Sequence, residues 1–151
     1  MPKPAGIDLK SFWEDALSSA SLAEGAAWEN RIPKKARWMA DPDLLRQVAM
    51  NLLQNAWRAT EGVAKPTITL RAVEEAVDGA AHWHLTLQDN GCGIPKADQT
   101  RVFDPFFSAF GGGTGLGLAV CHRIVVAHGG LLFLESEPGQ GTTVHLRLRA
   151  A

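Results

Sequence analysis

Cysteine is scarce in the 151 residues: only Cys92 and Cys121 occur, far apart and without Cys-x-x-Cys spacing. Neither a disulfide framework nor a zinc site is indicated. Surplus charge is scarce too, since 15 basic against 16 acidic residues leave a formal net charge of -1. That balance argues against a nucleic-acid surface or an anionic membrane as the main partner. No apolar run approaches the ~20 residues of a membrane span. The polar start Met1-Pro-Lys-Pro also lacks the apolar stretch of a signal peptide. These absences predict a cytoplasmic domain with no membrane contact of its own, whether free or cut from a membrane-anchored parent. No lysine follows Lys96, which excludes a Walker-type loop with its Gly-Lys-Ser/Thr ending after that point.

What is present reads as one globular domain over residues 1–151. A 46% hydrophobic and 21% charged composition is that of a chain with an ordinary buried core. Helical spacing runs from Ile7 to Leu22, with Asp8 as a candidate cap. Ala27–Ile32 and Ala36–Ala40 read as short strands around a Pro33-Lys34-Lys35 turn. Asp41-Pro42 is a strong helix start, and the helix it opens stops at Gly62. Pro66–Val73 and His82–Gln88 alternate as strands around a polar Glu74–Gly79 connection. Lys96–Val102 reads as a short helix. An apolar helix over Leu116–His128 ends at Gly129-Gly130, and strands follow at Leu131–Glu135 and Thr142–Arg149. Helices and antiparallel-looking hairpins in one domain predict an α+β two-layer sandwich.

Three segments carry chemistry. Five of the seven residues from Gly111 to Gly117 are glycine, directly before the apolar helix. Such a loop is either a plain flexible connection or a cradle whose N–H groups and helix dipole hold an anion. It is not a dinucleotide fingerprint, because Phe103–Phe110 before it contains a proline and does not alternate like a strand. On the helix from Pro42, residues Asn51, Asn55 and Arg58 fall within roughly 60° of one another. They stand at the shoulder of a core stripe formed by Leu45, Val48, Leu52, Ala56 and Ala59. Their amides either satisfy neighbouring backbone groups or offer a neutral oxygen to Mg²⁺, with Arg58 reaching a phosphate. Finally, Asp89-Asn-Gly-Cys-Gly is either a common turn or a carboxylate placed to accept from an exocyclic amine, with glycines that admit a flat ring.

The segments arrive in a recognisable order: Asn51-Leu-Leu-Gln-Asn55-Ala-Trp-Arg58, Asp89-Asn-Gly91-Cys-Gly93-Ile94-Pro95, Phe103-Asp-Pro-Phe-Phe107, and Gly113-Thr-Gly115-Leu-Gly117-Leu-Ala. They resemble the asparagine, first glycine, phenylalanine and second glycine boxes of the sensor histidine kinase ATP-binding domain, in the GHKL ATPase superfamily. Gly139-Gln-Gly141-Thr142-Thr143 resembles its last glycine box. The resemblance implies a two-layer α/β sandwich with a mixed, mostly antiparallel sheet and ATP held between the sheet and the asparagine helix. Asn55 would be the Mg²⁺ ligand, Asn51 would face the phosphates or the metal's water, and Arg58 would contact phosphate. Asp89 would receive the adenine amine within a wall of Gly91, Gly93 and Ile94, with Gly93 beneath the base and Thr142 nearby through water. Phe103 to Gly113 would form a mobile lid. Gly113, Thr114, Gly115, Leu116, Gly117 and Leu118 would border the phosphates, to which Gly115 and Gly117 bring backbone N–H groups. The implied partners are a histidine-containing dimerisation domain and a downstream response regulator.

Two departures accompany the resemblance. Phe110 stands where comparable members carry a lysine, which removes a candidate γ-phosphate contact. None of the five histidines sits in the His-Glu-x-x-x-Pro-like context of a phosphoacceptor. His82 and His84, two apart on a strand, suit a solvated strand face or a metal pair. The other readings are a GHKL ATP hydrolase, an anti-sigma-type serine kinase, and a nucleotide-sensing pseudokinase module. Hydrolases of the superfamily place a glutamate general base where this chain has Asn51. Among the tryptophans, Trp57 lies opposite the core stripe and is the candidate for a docking face.

Overall fold

The computed structural model describes residues 2–20, 27–105, 107 and 117–151. A short strand β1 (Ala5–Asp8) leads into helix α1 (Leu9–Ser19), which Asp8 caps by accepting from Ser11 N at 3.1 Å. Strands β2 (Ala27–Asn30) and β3 (Arg37–Ala40) precede the long helix α2 (Pro42–Ala59). Then come β4 (Thr67–Val77), β5 (Ala80–Asp89), the four-residue helix α3 (Lys96–Gln99), α4 (Gly117–Ala127), β6 (Leu131–Glu137) and β7 (Gly141–Arg149). The main sheet has the order β2-β4-β5-β7-β6, and β1 pairs with β3 in a separate two-stranded sheet. All its pairings are antiparallel except β2 with β4.

One face of the main sheet is apolar and packs on the helices. Alternation puts Ile68, Leu70, Leu85, Leu87, Leu146 and Leu148 on that face, all buried. From the helix layer, α2 meets them with Leu45, Val48, Leu52 and Ala56, the stripe expected from its periodicity, joined by Ala49 and Leu53. Helix α4 lies beside α2 and buries Cys121, Ile124 and Val125. Burial pushes the Cys121 thiol up to about 12, so it stays protonated against Val48 O. Trp38 of β3 joins the small sheet to the large one by donating from Nε1 to Trp83 O at 3.0 Å.

Asp41 is the N-cap of α2: its Oδ1 accepts from Asp43 N at 3.0 Å and from Leu44 N at 3.2 Å. Its Oδ2 accepts from Lys3 N at 2.8 Å, and its own N–H donates to His128 Nε2 at 3.0 Å. One residue thus starts α2 and ties it to the N-terminal strand region and the end of α4. Asp41→Ala should lower the thermal midpoint by roughly 3–6 °C, read by a circular dichroism melt. An unchanged midpoint would mean that solvent satisfies these donors equally well.

Several elements differ from the sequence expectation. Residues Ala5–Asp8 form a strand where the helix was expected to begin, and Ser19 ends α1, with residues 21–26 outside the described set. The strands at Ala27 and Arg37 do not form a hairpin. Ile32 and Ala36 between them are buried, so the connection passes through the core. Strand β2 pairs in parallel with β4, and α2 supplies the long crossover that such a pair needs. The β4–β5 connection shrinks to Asp78-Gly79, with φ of 51° and 80°, the backbone of a tight two-residue hairpin turn. Glu75 is therefore inside a strand.

On the opposite face of the sheet, Glu75 Oε1 bonds His84 Nδ1 at 2.8 Å, and His84 Nε2 bonds His145 Nδ1 at 2.8 Å. His145 Nε2 lies 2.6 Å from Glu135 Oε1, although it makes no well-angled hydrogen bond, and its ring stacks on Phe133 at 4.3 Å. The bond from His84 holds the Glu75 carboxyl below its ordinary range. His82 turns instead to Ala80 O. Of the two readings of His82 and His84, the metal pair is not formed: the two rings take different partners, and His84 joins a cross-strand chain. Among the described residues no group of three or more His, Cys, Asp or Glu is arranged for a metal.

Candidate functional site

The C-terminal end of α2 forms the base of the site. Cys92 N donates to Ala59 O at 2.8 Å, which docks the Asp-Asn-Gly-Cys-Gly turn on the asparagine helix. Gly91 lies so close that a Cβ there would fall on the Ala59 carbonyl. Gly93 has φ of 73°, and a Cβ there would fall on the Glu137 carbonyl. From the other side Gly139 N donates to Cys92 O at 2.7 Å. Asn90 fixes the start of β4, accepting from Thr67 N and donating to Lys65 O. The turn is therefore clamped between α2, β4 and the β6–β7 connection.

Asp89 closes β5 at the edge of this clamp, paired with Thr142 of β7. Both are buried, at 5% and 6% exposure. Burial pushes the Asp89 carboxyl up to about 6, against the opposing pull of the Gly91 and Thr142 backbone N–H groups. Gly91 N reaches Asp89 Oδ1 at 2.9 Å. An ionised carboxylate kept this dry and only partly hydrogen-bonded has an unmet demand for a donor. Beside it, Ser136 Oγ takes Ile94 N–H at 2.8 Å and lies 2.9 Å from Thr142 Oγ1. Gln99 Nε2 donates to both Ile94 O and Ser136 O at 2.9 Å. Sequence reasoning missed Ser136 and Gln99, because a single serine or glutamine carries no pattern.

The other expected residues are placed as follows. Asn51 and Asn55 are half-buried on the shoulder of α2, and Arg58 is exposed beyond them. Asn51 Nδ2 donates to Gly117 O at 3.4 Å, which links the asparagine helix to the start of α4. No described residue hydrogen-bonds the Asn55 amide, whose neutral oxygen suits a hard cation that also meets phosphate. Ile94 is buried, and Leu118 packs on the core. Phe103 leans on His122 of α4 with ring centroids 5.5 Å apart, and Arg101 lies over Phe107 at 4.7 Å. Gly113, Thr114, Gly115, Leu116 and Phe110 lie outside the described residues. Trp57 is half-buried; the tryptophan with a large exposed surface is Trp28, at 40%.

A cavity of about 610 Å³ touches Asp89, Ser136 and Thr142, but its walls also include Gln88, Glu135 and Thr143 from the opposite face. Neither Asn51 nor Asn55 borders it. It is a groove around the strand ends and not the space between α2 and the sheet.

The family model described as histidine kinase-, DNA gyrase B-, and HSP90-like ATPase matches residues 40–151. The virulence sensor protein BvgS of Bordetella bronchiseptica is 42% identical over 119 residues, covering 74% of this chain and 9% of that protein. The signal transduction histidine-protein kinase AtoS of Escherichia coli is 40% identical over 109 residues, covering 72% of this chain and 17% of that one. The chain thus spans less than a fifth of the length of these relatives. Full-length ShkA, solved in complex with AMPPNP, superposes with a TM-score of 0.83 at 26% identity, over 100% of this chain and 32% of that one.

Proposed function

The chain belongs to the histidine kinase-, DNA gyrase B- and HSP90-like ATPase family, and from that premise we propose that it is the ATP-binding catalytic domain of a sensor histidine kinase. It binds Mg²⁺-ATP and donates the γ-phosphate to a histidine on a separate dimerisation domain, from which a response regulator is served. The observation that carries this reading is the buried pair Asp89 and Thr142, held beside a turn that docks on the end of the asparagine helix.

Asp89 accepts the adenine amine, Gly91, Gly93 and Ile94 form the wall, and Thr142 completes the floor. Asn55 holds Mg²⁺, which supplies charge neutralisation at the phosphates when bound. Asn51 keeps the start of α4 against α2, and Arg58 reaches a phosphate. The loop through Gly113, Thr114, Gly115 and Leu116 to Gly117 and Leu118 borders the phosphates, and the segment from Phe103 is the lid. Phosphoryl transfer asks mainly for positioning and charge stabilisation, which such a set provides. Asn51 also favours transfer over hydrolysis, since an amide cannot take a proton from water as a carboxylate would. The acceptor lies elsewhere in this reading, and His84, His128 and His145 are engaged within the fold.

Calorimetric titration of a non-hydrolysable ATP analogue, with and without Mg²⁺, tests the reading. The chain should bind the analogue, Mg²⁺ should tighten it, and Asn55→Ala should abolish the tightening while retaining metal-free binding. No binding to the folded chain would overturn the proposal.

A further inference from the structure

We propose that Ser136 is a specificity-determining residue: it fixes the Thr142 hydroxyl as an acceptor, so that the buried end of the site selects a purine bearing an exocyclic amine. The inference rests on the reading of Asp89 and Thr142 as the base-binding pair. It adds a residue that none of the motifs contains.

Counting protons decides which way each hydroxyl points. A serine hydroxyl has one hydrogen and two lone pairs. Ser136 Oγ has three neighbours: Ile94 N at 2.8 Å, Gly141 O at 3.0 Å and Thr142 Oγ1 at 2.9 Å. The Ile94 N–H can only donate, so it fills one lone pair. The Gly141 carbonyl can only accept, so it takes the single Ser136 hydrogen. One lone pair remains, and Thr142 must supply the hydrogen that fills it. All three contacts are met in this arrangement alone.

The consequence falls on Thr142. Its hydrogen is committed to Ser136, so its oxygen has only lone pairs left to offer. Asp89, ionised, is likewise an acceptor only. Two acceptors side by side on paired strands ask for a donor, and an exocyclic amine is one. A bridging water satisfies the same pattern: it donates once to Thr142 and once to an unprotonated ring nitrogen such as that beside the amine of adenine. A purine with an exocyclic oxygen turns an acceptor toward Asp89 and Thr142 and meets repulsion there, because neither side chain has a hydrogen left to offer it; its ring N–H can still donate to the water. Ser136 touches no base in this scheme; it acts through Thr142 and is a positioning residue.

The backbone around Ser136 is arranged to keep the count intact. Gln99 Nε2 holds Ile94 O and Ser136 O together at 2.9 Å each. The Ile94 N–H is thereby kept on Ser136, and the hydroxyl cannot relax by releasing it.

The test is calorimetric binding of ADP and inosine diphosphate to the chain, to Ser136→Ala and to Ser136→Thr. The wild type should prefer ADP. Ser136→Ala frees the Thr142 hydrogen to turn toward an exocyclic oxygen and relieve its repulsion, and the ADP preference should fall about tenfold. Ser136→Thr keeps a hydroxyl at the same place and should restore most of it. Thr142→Val removes the acceptor itself, so it should lower the preference similarly, and the double variant should be no worse than either single one. A residue that merely supported the fold would weaken both nucleotides by one factor; an unchanged ratio in Ser136→Ala overturns the proposal. A wild type that binds ADP without preferring it also overturns it, while leaving the site assignment standing. A wild type that binds no ADP overturns the site assignment and this inference with it. If Ser136→Ala fails to fold, an unchanged ratio in Thr142→Val overturns the proposal in its place.

Discussion

Asp89→Asn should make the unliganded domain more stable at neutral pH and at the same time weaken ATP or ADP binding by about a hundredfold. The two effects share one cause. Burial raises the Asp89 carboxyl to about 6, so the folded chain holds a proton that the unfolded chain, with an ordinary carboxyl near 4, has already released. Between these values the native state binds more protons than the unfolded state, and stability therefore falls as pH rises from about 4 to about 6. Above that window the full penalty of an ionised buried carboxylate is present, about 2–3 kcal/mol for a shift of this size. An asparagine has no charge to desolvate, keeps an oxygen for Gly91 N–H, and carries no such penalty. Urea unfolding at pH 5 and pH 7 should show the wild type losing stability over that interval and the variant losing less. Nucleotide should reverse the ranking, because a base amine gives the wild-type carboxylate the donor it lacks. A variant no more stable than the wild type at pH 7 would mean that the Gly91 and Thr142 N–H groups already compensate the buried charge.

Much of this architecture can be read from the chain because its signals are local. Asp41-Pro42 marks the start of α2 through cap chemistry that needs no tertiary information. The core stripe of α2 follows from its period, and the shoulder position of Asn51 and Asn55 follows with it. The glycines at 91 and 93 signal close approach, and the structure supplies the two carbonyls being approached. What could not be read is pairing at a distance. Strand β1 has only Ile7 buried and leaves no alternating pattern. The segment Ala27–Asn30 looks the same in sequence whether it turns back on β3 or joins β4 across α2. Ser136 escaped for the same reason: its three partners come from the turn after β5 and from the start of β7, and only the fold assembles them.

Gly93→Ala should cost about 3–4 kcal/mol of stability, whereas Gly139→Ala should cost only about 1–2 kcal/mol. Both glycines have positive φ, 73° and 81°, so both replacements carry the strain of placing a Cβ in the left-handed region. They differ in what that Cβ meets. At Gly139 nothing lies within 4 Å, while at Gly93 the new carbon falls on the Glu137 carbonyl and within 3.0 Å of Pro138 Cα. The difference between the two variants therefore isolates the packing of the turn against the β6–β7 connection. Denaturant midpoints measured at equal slope give it directly. The functional effect should diverge further, because relief of the clash moves Ile94 N from Ser136 Oγ and opens the clamp beside Asp89. Gly139→Ala should retain nucleotide affinity within a few-fold, and Gly93→Ala should lose it even under conditions where the domain is fully folded. Equal costs in the two variants would show that backbone strain alone explains the glycine at 93, and that the clamp yields without loss.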